Sequence, residues 1–314
     1  MAALGPQAER TRLAAAGARS VTRAAILSGQ PLKDVIKGRI FYALLLLALG
    51  LALLGLAALI LDAVIDGRSM LSLDLLTNSA SRISPETAGY ANAIYGTILL
   101  IGGVLVMTVP IGIGSAIYLE EYADRTKWWN RVVELNIQNL AAVPSIVYGI
   151  LGLAFIVRGP LDLGFILFAG SITLSLLVLP TVIIAAREAI RAVPPSIREG
   201  SFALGATRWQ TVRRQVLPAA IPGIATGVIL AVSRAAGETA PLLLVGAATF
   251  VTFDPTVFGD NGYTALPVMI FNNAKQAQPE FHVLAAAGIV VMLAVILLMN
   301  SFAIWLRNRY EQRW

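Results

Sequence analysis

The segment Phe41 to Leu61, "FYALLLLALGLALLGLAALIL", contains no charged residue, and five other stretches of the chain are comparably apolar. A bilayer core about 30 Å thick is crossed by about 20 apolar residues in a helix, so such runs are long enough to span it. Helices are required, because open sheet edges leave backbone groups unsatisfied in lipid. Spans are expected at about 40–61, 91–118, 137–157, 163–186, 219–247 and 283–306. The composition agrees: 57% of the 314 residues are hydrophobic and 13% charged, with a mean hydropathy of +0.75. A soluble domain carries nearly twice that share of charge, about 25%. The fold class is therefore an all-α integral membrane protein with six transmembrane helices.

Lys and Arg alternate in density along the chain. The segments 1–39, 119–136, 187–218 and 307–314 hold nineteen; the intervening segments hold Arg68, Arg82, Arg158 and Lys275; Arg234 lies inside a span. The positive-inside rule places both termini in the cytoplasm. The net charge of +6 is thus a topology signal and not a nucleic-acid footprint. The organisation is a cytoplasmic tail over 1–39, a membrane domain over 40–306, and a cytoplasmic tail over 307–314. Residues 62–90 and 248–282 become outer loops, largely acidic through Asp62, Asp66, Asp74, Glu86, Asp254, Asp260 and Glu280.

Several chemistries are excluded. Cysteine is absent, so disulfides and thiol catalysis are ruled out. The single His282, expected in a loop beside a helix start, cannot build a multi-histidine metal site. No G-x-x-x-x-G-K-[ST] loop is present to cradle ATP phosphates, and neither H-E-x-x-H nor an intramembrane G-x-S-x-G occurs. Glu120, Glu121 and Asp124, followed by Arg125, Lys127, Trp128 and Trp129, read as an interfacial turn with an aromatic anchor.

The longest internal polar stretch is "SIREGSFALGATRWQTVRRQV", residues 196–216, between two apolar runs. Ser196 and Glu199 have capping-box spacing after Pro194 and Pro195, and Thr207 with Gln210 repeats it after Gly205. Two short helices joined at Gly205 are expected. In the second, Trp209, Val212 and Val216 form an apolar stripe that Arg208, Arg213 and Arg214 avoid. A helical knob of this kind suits docking of a soluble partner better than a plain topogenic loop does. Inside the fifth span, Arg234 and Glu238 lie four residues apart on one helix face. Such charges face a bundle interior or a water-filled cavity. The residues alone leave open whether Arg234 meets a passing oxyanion or the pair locks helices together. Thr239, beside Gly237 and Pro241, offers a hydroxyl either to an anion or to a nearby carbonyl.

Glu199, Gly205 and Leu217-Pro218 have the spacing of the EAA loop that resembles a hallmark of ABC-importer permeases. The chain departs from it at Gly200 and Ser201, where the pattern has alanines, and at Gln215, where it prefers an aliphatic residue. The blocks "VPIGIGSAIYLEEYA" (109–123), "NLAAVPSIVYGILGLAF" (139–155), "LGATRWQTVRRQVLPAAIPGI" (204–224) and "SRAAGETAPLLLVGAA" (233–248) are similar to the A-type permease subunits of phosphate-specific ABC importers. The resemblance implies a type I importer permease fold in a bacterial-type inner membrane. It implies a cytoplasmic coupling helix at 196–216, within a loop over 187–218, with Ser196, Glu199, Phe202, Ala203, Gly205, Arg208, Leu217 and Pro218 contributing to ATPase coupling. It places Arg234, Glu238 and Thr239 on the substrate pathway, with no catalytic or metal-binding residue. The implied partners are a homologous C-type permease, a dimer of ATP-binding subunits that holds ATP and Mg, an extracytoplasmic phosphate-binding protein and membrane lipid, with no nucleic acid. Permeases for sulfate or molybdate would share the architecture; a self-contained ion-coupled carrier or a membrane scaffold would not need it.

Overall fold

The computed structural model describes residues 32–124, 126–247, 251–259 and 262–310. The readings that fall on 1–31, Arg125, 248–250, Asp260 and 311–314 lie outside the described residues. The chain falls into two units, divided between Leu61 and Asp62.

The first unit is formed by most of α1, Leu32–Gly67. Leu44, Leu45, Leu46 and Leu47, each turned about 100° from the last, are all exposed. A helix that is apolar all round is matched to lipid, and not to one protein face.

In the second unit, α2 (Ala91–Ile117) and α5 (Leu167–Arg191) lie side by side. Gly103 abuts Ser171 and Gly112 abuts Val182, so the two helices run in the same direction. The helix α8 (Leu217–Gly237) packs on α5 through Gly223 against Ala189 and Gly227 against Ala185. Small residues at these crossings let backbones approach, which is how helices gain packing in a solvent as apolar as their side chains. α11 (Pro279–Tyr310) pairs with α8, where the Ser233 hydroxyl lies 2.7 Å from Asn300 Oδ1 and Arg307 donates to the Thr226 hydroxyl at 2.8 Å. It also packs on α10, Leu266–Ala274. Among the described residues, an isolated bridge between Ala247 and Tyr263 is the one β-type contact.

Five helices are individually long and apolar enough to cross a membrane, and the sixth expected span is broken. Residues 137–157 are divided between α3 (Trp128–Ala141) and α4 (Ser145–Leu151, continued by a π-turn to Val157), bent by 106°. Pro144, in an extended conformation with φ −57° and ψ 138°, breaks the run, since it has no N–H to donate and disfavours helical geometry before it. The fifth span also differs from 219–247. Its helix runs continuously from Arg208 to Gly237, and the chain reforms one short helix, α9, over Ala240–Leu244. Pro218 does not end it: a π-turn at Val212–Val216 comes immediately before and makes room for the ring. His282 lies in the first turn of α11, not in a loop, with Nε2 2.7 Å from the Gln276 carbonyl.

Candidate functional site: a polar helical loop and a charged helix break

The polar stretch forms two helical pieces, as its composition predicts, but the first cap differs. Helix α6 spans Pro195–Ala203 with Pro194 at its N-cap and no side-chain cap bond, so Ser196 lies inside the helix and the Ser196–Glu199 capping box is not made. The prolines explain this: Pro195 at the first position starts the helix with its fixed φ, and Pro194 at the N-cap has no side-chain acceptor to offer. Gly205 then takes φ +81°, a left-handed geometry suited to glycine. The second box is made: the Thr207 hydroxyl accepts from the Gln210 N–H at 3.3 Å, and Gln210 Oε1 accepts from the Thr207 N–H at 2.9 Å. This starts α7, Arg208–Thr211, which leads into the long fifth helix.

The apolar stripe is only partly as expected. Val212 and Val216 are buried, whereas Trp209 is 54% exposed and Thr211 occupies the buried face in its place. The widened π-turn changes the angular step between residues, so a stripe drawn at 3.6 residues per turn loses register here. Ser196, Glu199, Phe202, Ala203, Gly205 and Arg208 are exposed on this loop, and Leu217 and Pro218 are half-buried at its far end. Ser201 and Thr211 join the two pieces through a 2.8 Å contact between hydroxyls. The concave side, lined by Ile197, Gly200, Leu204 and Arg214, encloses about 550 Å³.

Beneath this loop, where the sequence predicts an interfacial turn with an aromatic anchor, the carboxylates form an ion-pair knot. A π-turn over Tyr118–Tyr122 extends α2 and carries Glu120 and Glu121 inward. Glu120 is 4% exposed and accepts from Arg187 Nε at 2.8 Å and Arg191 Nη2 at 2.7 Å. Arg187 also reaches Glu134 on α3 at 2.7 Å. Glu121 accepts from Arg198 Nε at 3.0 Å and Nη2 at 2.7 Å. Outside the knot, the Thr126 hydroxyl and backbone N–H both donate to the Asp124 carboxylate and hold it below the usual carboxylate range. The aromatic pair remains outward, with Trp128 and Trp129 exposed and Lys127 5.0 Å over the Trp129 ring. Arg208 sits 5.5 Å over the Tyr122 ring. The available sequence signal was the adjacency of two carboxylates at one helix end to arginines at the end of another, but their pairing is long-range and has no local period.

At the opposite end of the fifth helix, Arg234 donates to Glu238 at 3.4 Å. The pair is not in mid-helix: α8 ends at Gly237, Glu238 is extended with φ −76° and ψ 121°, and Thr239 precedes α9. Arg234 is thus in the last turn, where a cation complements the partial negative charge of the carbonyl end. Its side chain is 46% exposed and that of Glu238 17%, so the carboxylate is the more enclosed partner. Tyr148 on α4 lies within electrostatic range of Arg234 and donates its hydroxyl to the Leu140 carbonyl at 2.8 Å. Gly149 lets α4 approach the break closely, since a Cβ there would lie 2.7 Å from the Pro241 Cα. The structure brings Arg234, Glu238 and Thr239 together at the break, with Tyr148 an addition that sequence separation hid.

Residues 108–313 match the family described as "Binding-protein-dependent transport system inner membrane component". The chain belongs to this permease family. Among its relatives, "Phosphate transport system permease protein PstA 1" of Mycobacterium tuberculosis (strain ATCC 25618 / H37Rv) is 35% identical over 236 residues, 74% of each chain. "Phosphate transport system permease protein PstA" of Yersinia pestis is 35% identical over 268 residues, covering 85% of this permease and 88% of that protein. In fold, the permease matches a chain of a solved bacterial ABC transporter involved in import of the acidic polysaccharide alginate, with a TM-score of 0.62, 18% identity, and coverage of 90% and 99%. The fold is that of type I ABC importer permeases, and the chain is a multi-pass inner-membrane transport component.

Proposed function

We propose that this permease is one half of the transmembrane unit of an ATP-driven importer of inorganic phosphate. The observation that carries the reading is 35% identity, over 74% and 85% of the chain, to two permeases named for phosphate transport. The half-exposed guanidinium of Arg234 supports it, because a planar fork of N–H donors suits a tetrahedral oxyanion. Glu238 holds that fork in place and balances it, so that phosphate passes and is not trapped. Thr239 adds a hydroxyl beside the same break.

In this reading both termini are cytoplasmic, and the domain order is tail (1–39), permease (40–306) and tail (307–314). A phosphate-loaded binding protein docks on the outer loops, 62–90 and 248–282. ATP and Mg are held by a dimer of ATP-binding subunits, which hydrolyse the nucleotide; this chain moves solute without transforming it. Closure of those subunits drags the loop at 196–216, where Glu199, Phe202, Ala203 and Arg208 present the exposed docking face. The shift reorients this permease against its C-type partner as rigid bodies and opens a path past Arg234.

The test is uptake of labelled phosphate by vesicles holding the complete complex with its binding protein. Uptake is expected only with ATP inside the vesicle, and excess sulfate or molybdate is expected to leave it unchanged. Phosphate accumulation by this chain alone would replace the importer reading with that of an ion-coupled carrier.

A further inference from the structure

The side chain of Arg198 ties together three separate elements. It rides on the exposed helix α6 and makes four hydrogen bonds away from it. Two go to Glu121 on the π-turn that ends the α2 span. The others run from Nη1 to the Val193 carbonyl at 2.7 Å and from Nη2 to the Ile190 carbonyl at 2.9 Å, at the C-terminal end of α5. Carbonyls at a helix end have no partner within the helix, and a guanidinium reaching back to them fixes the direction in which the chain leaves.

The neighbouring carboxylate repeats the arrangement. Glu120 binds Arg187 and Arg191 on α5, and Arg187 continues to Glu134 on α3. Adjacent residues on an α-helix point about 100° apart, yet both carboxylates of this π-turn reach arginines between Arg187 and Arg198. Glu121 and Glu120 are almost wholly buried, and charge-assisted bonds made away from water are roughly twice as strong as neutral ones.

We infer that Arg198 is the positioning residue through which the polar loop is fixed rigidly to the ends of α2 and α5. A push on α6 then moves those two helices instead of flexing the joint. The functional consequence rests on the loop being the ATPase-coupling element; the rigidity itself does not.

The absence of cysteine allows two spin labels to be placed without background, at Tyr118 and Leu204, both exposed. In the full-length permease the distance distribution is expected to be narrow, to broaden at least about twofold in width in Arg198→Met, and to recover partly in Arg198→Lys. In the assembled complex, Arg198→Met is expected to hydrolyse ATP within about twofold of wild type while phosphate moved per ATP falls about tenfold. Glu121→Gln is expected to give the same defect and to add little to Arg198→Met, as for partners in one contact. An Arg198→Met distribution as narrow as wild type overturns the proposal, whatever the complex carries. So does a loss of hydrolysis and uptake in equal proportion, which signifies lost docking and not a slack joint. If the clamp behaves as described but wild type takes up no phosphate, the transport reading fails and the joint stands.

Discussion

Arg234 shows how much a single position can and cannot announce in a sequence. A lone arginine in an apolar run marks a place where the helix must face something other than lipid, and that was legible from composition and depth. That the helix is irregular there is legible too, from Gly237 and Pro241: the helix ends at Gly237, whose carbonyl the ring of Pro241 would meet in a continued helix. If the guanidinium meets phosphate through its fork, Arg234→Lys keeps the charge and loses the geometry. It is expected to raise the phosphate concentration for half-maximal uptake at least about tenfold, matching the loss of about 1.5–3 kcal/mol for a charged hydrogen bond. Kinetics of uptake across a range of external phosphate check this, and unchanged kinetics would show that charge alone suffices. At Thr207 the expectation is local: Thr207→Ala removes the capping hydroxyl, costs about 1 kcal/mol, and speeds amide hydrogen exchange at Gln210 about fivefold.

Elements were legible where one signal dominated and illegible where two competed. The four spans without a break were found because their apolar runs exceed a bilayer's thickness, although each helix extends beyond the apolar run. The span at 137–157 was read as one because apolarity continues through Pro144, whereas the backbone obeys the proline. The ion-pair knot was missed for a related reason: Glu121 and Arg198 lie 77 residues apart, and local periodicity carries no information across that distance. Helix packing yields a direct contrast between two glycines. A Cβ on Gly227 would lie 2.3 Å from that of Ala185, while one on Gly102 meets nothing within 4 Å. Gly227→Val is therefore expected to lower the thermal unfolding midpoint of the chain in detergent by several degrees. Gly102→Ala is expected to leave it equal or slightly higher, as removing a helical glycine gains up to about 1 kcal/mol. Equal effects at the two positions would contradict the packing of α5 on α8.

For the molecule as a whole, the fold places two charged features at opposite ends of one continuous helix, Arg208–Gly237: the polar loop at its start and the Arg234–Glu238 break at its end. In the proposed function, docking at the loop is to be carried along this 30-residue helix to the break, which is the central claim. The proposed orientation rests on the basic segments and has its own test: single cysteines at Ser81 and Trp209 are expected to react with a membrane-impermeant maleimide from the outer and cytoplasmic sides respectively. The most direct measurement compares Glu199→Lys with Arg234→Gln in the reconstituted complex, recording ATP hydrolysis and labelled phosphate uptake in the same vesicles. The account predicts that Glu199→Lys separates hydrolysis from uptake, and that Arg234→Gln abolishes uptake with the complex fully assembled. Phosphate uptake at the wild-type rate in both variants would contradict it.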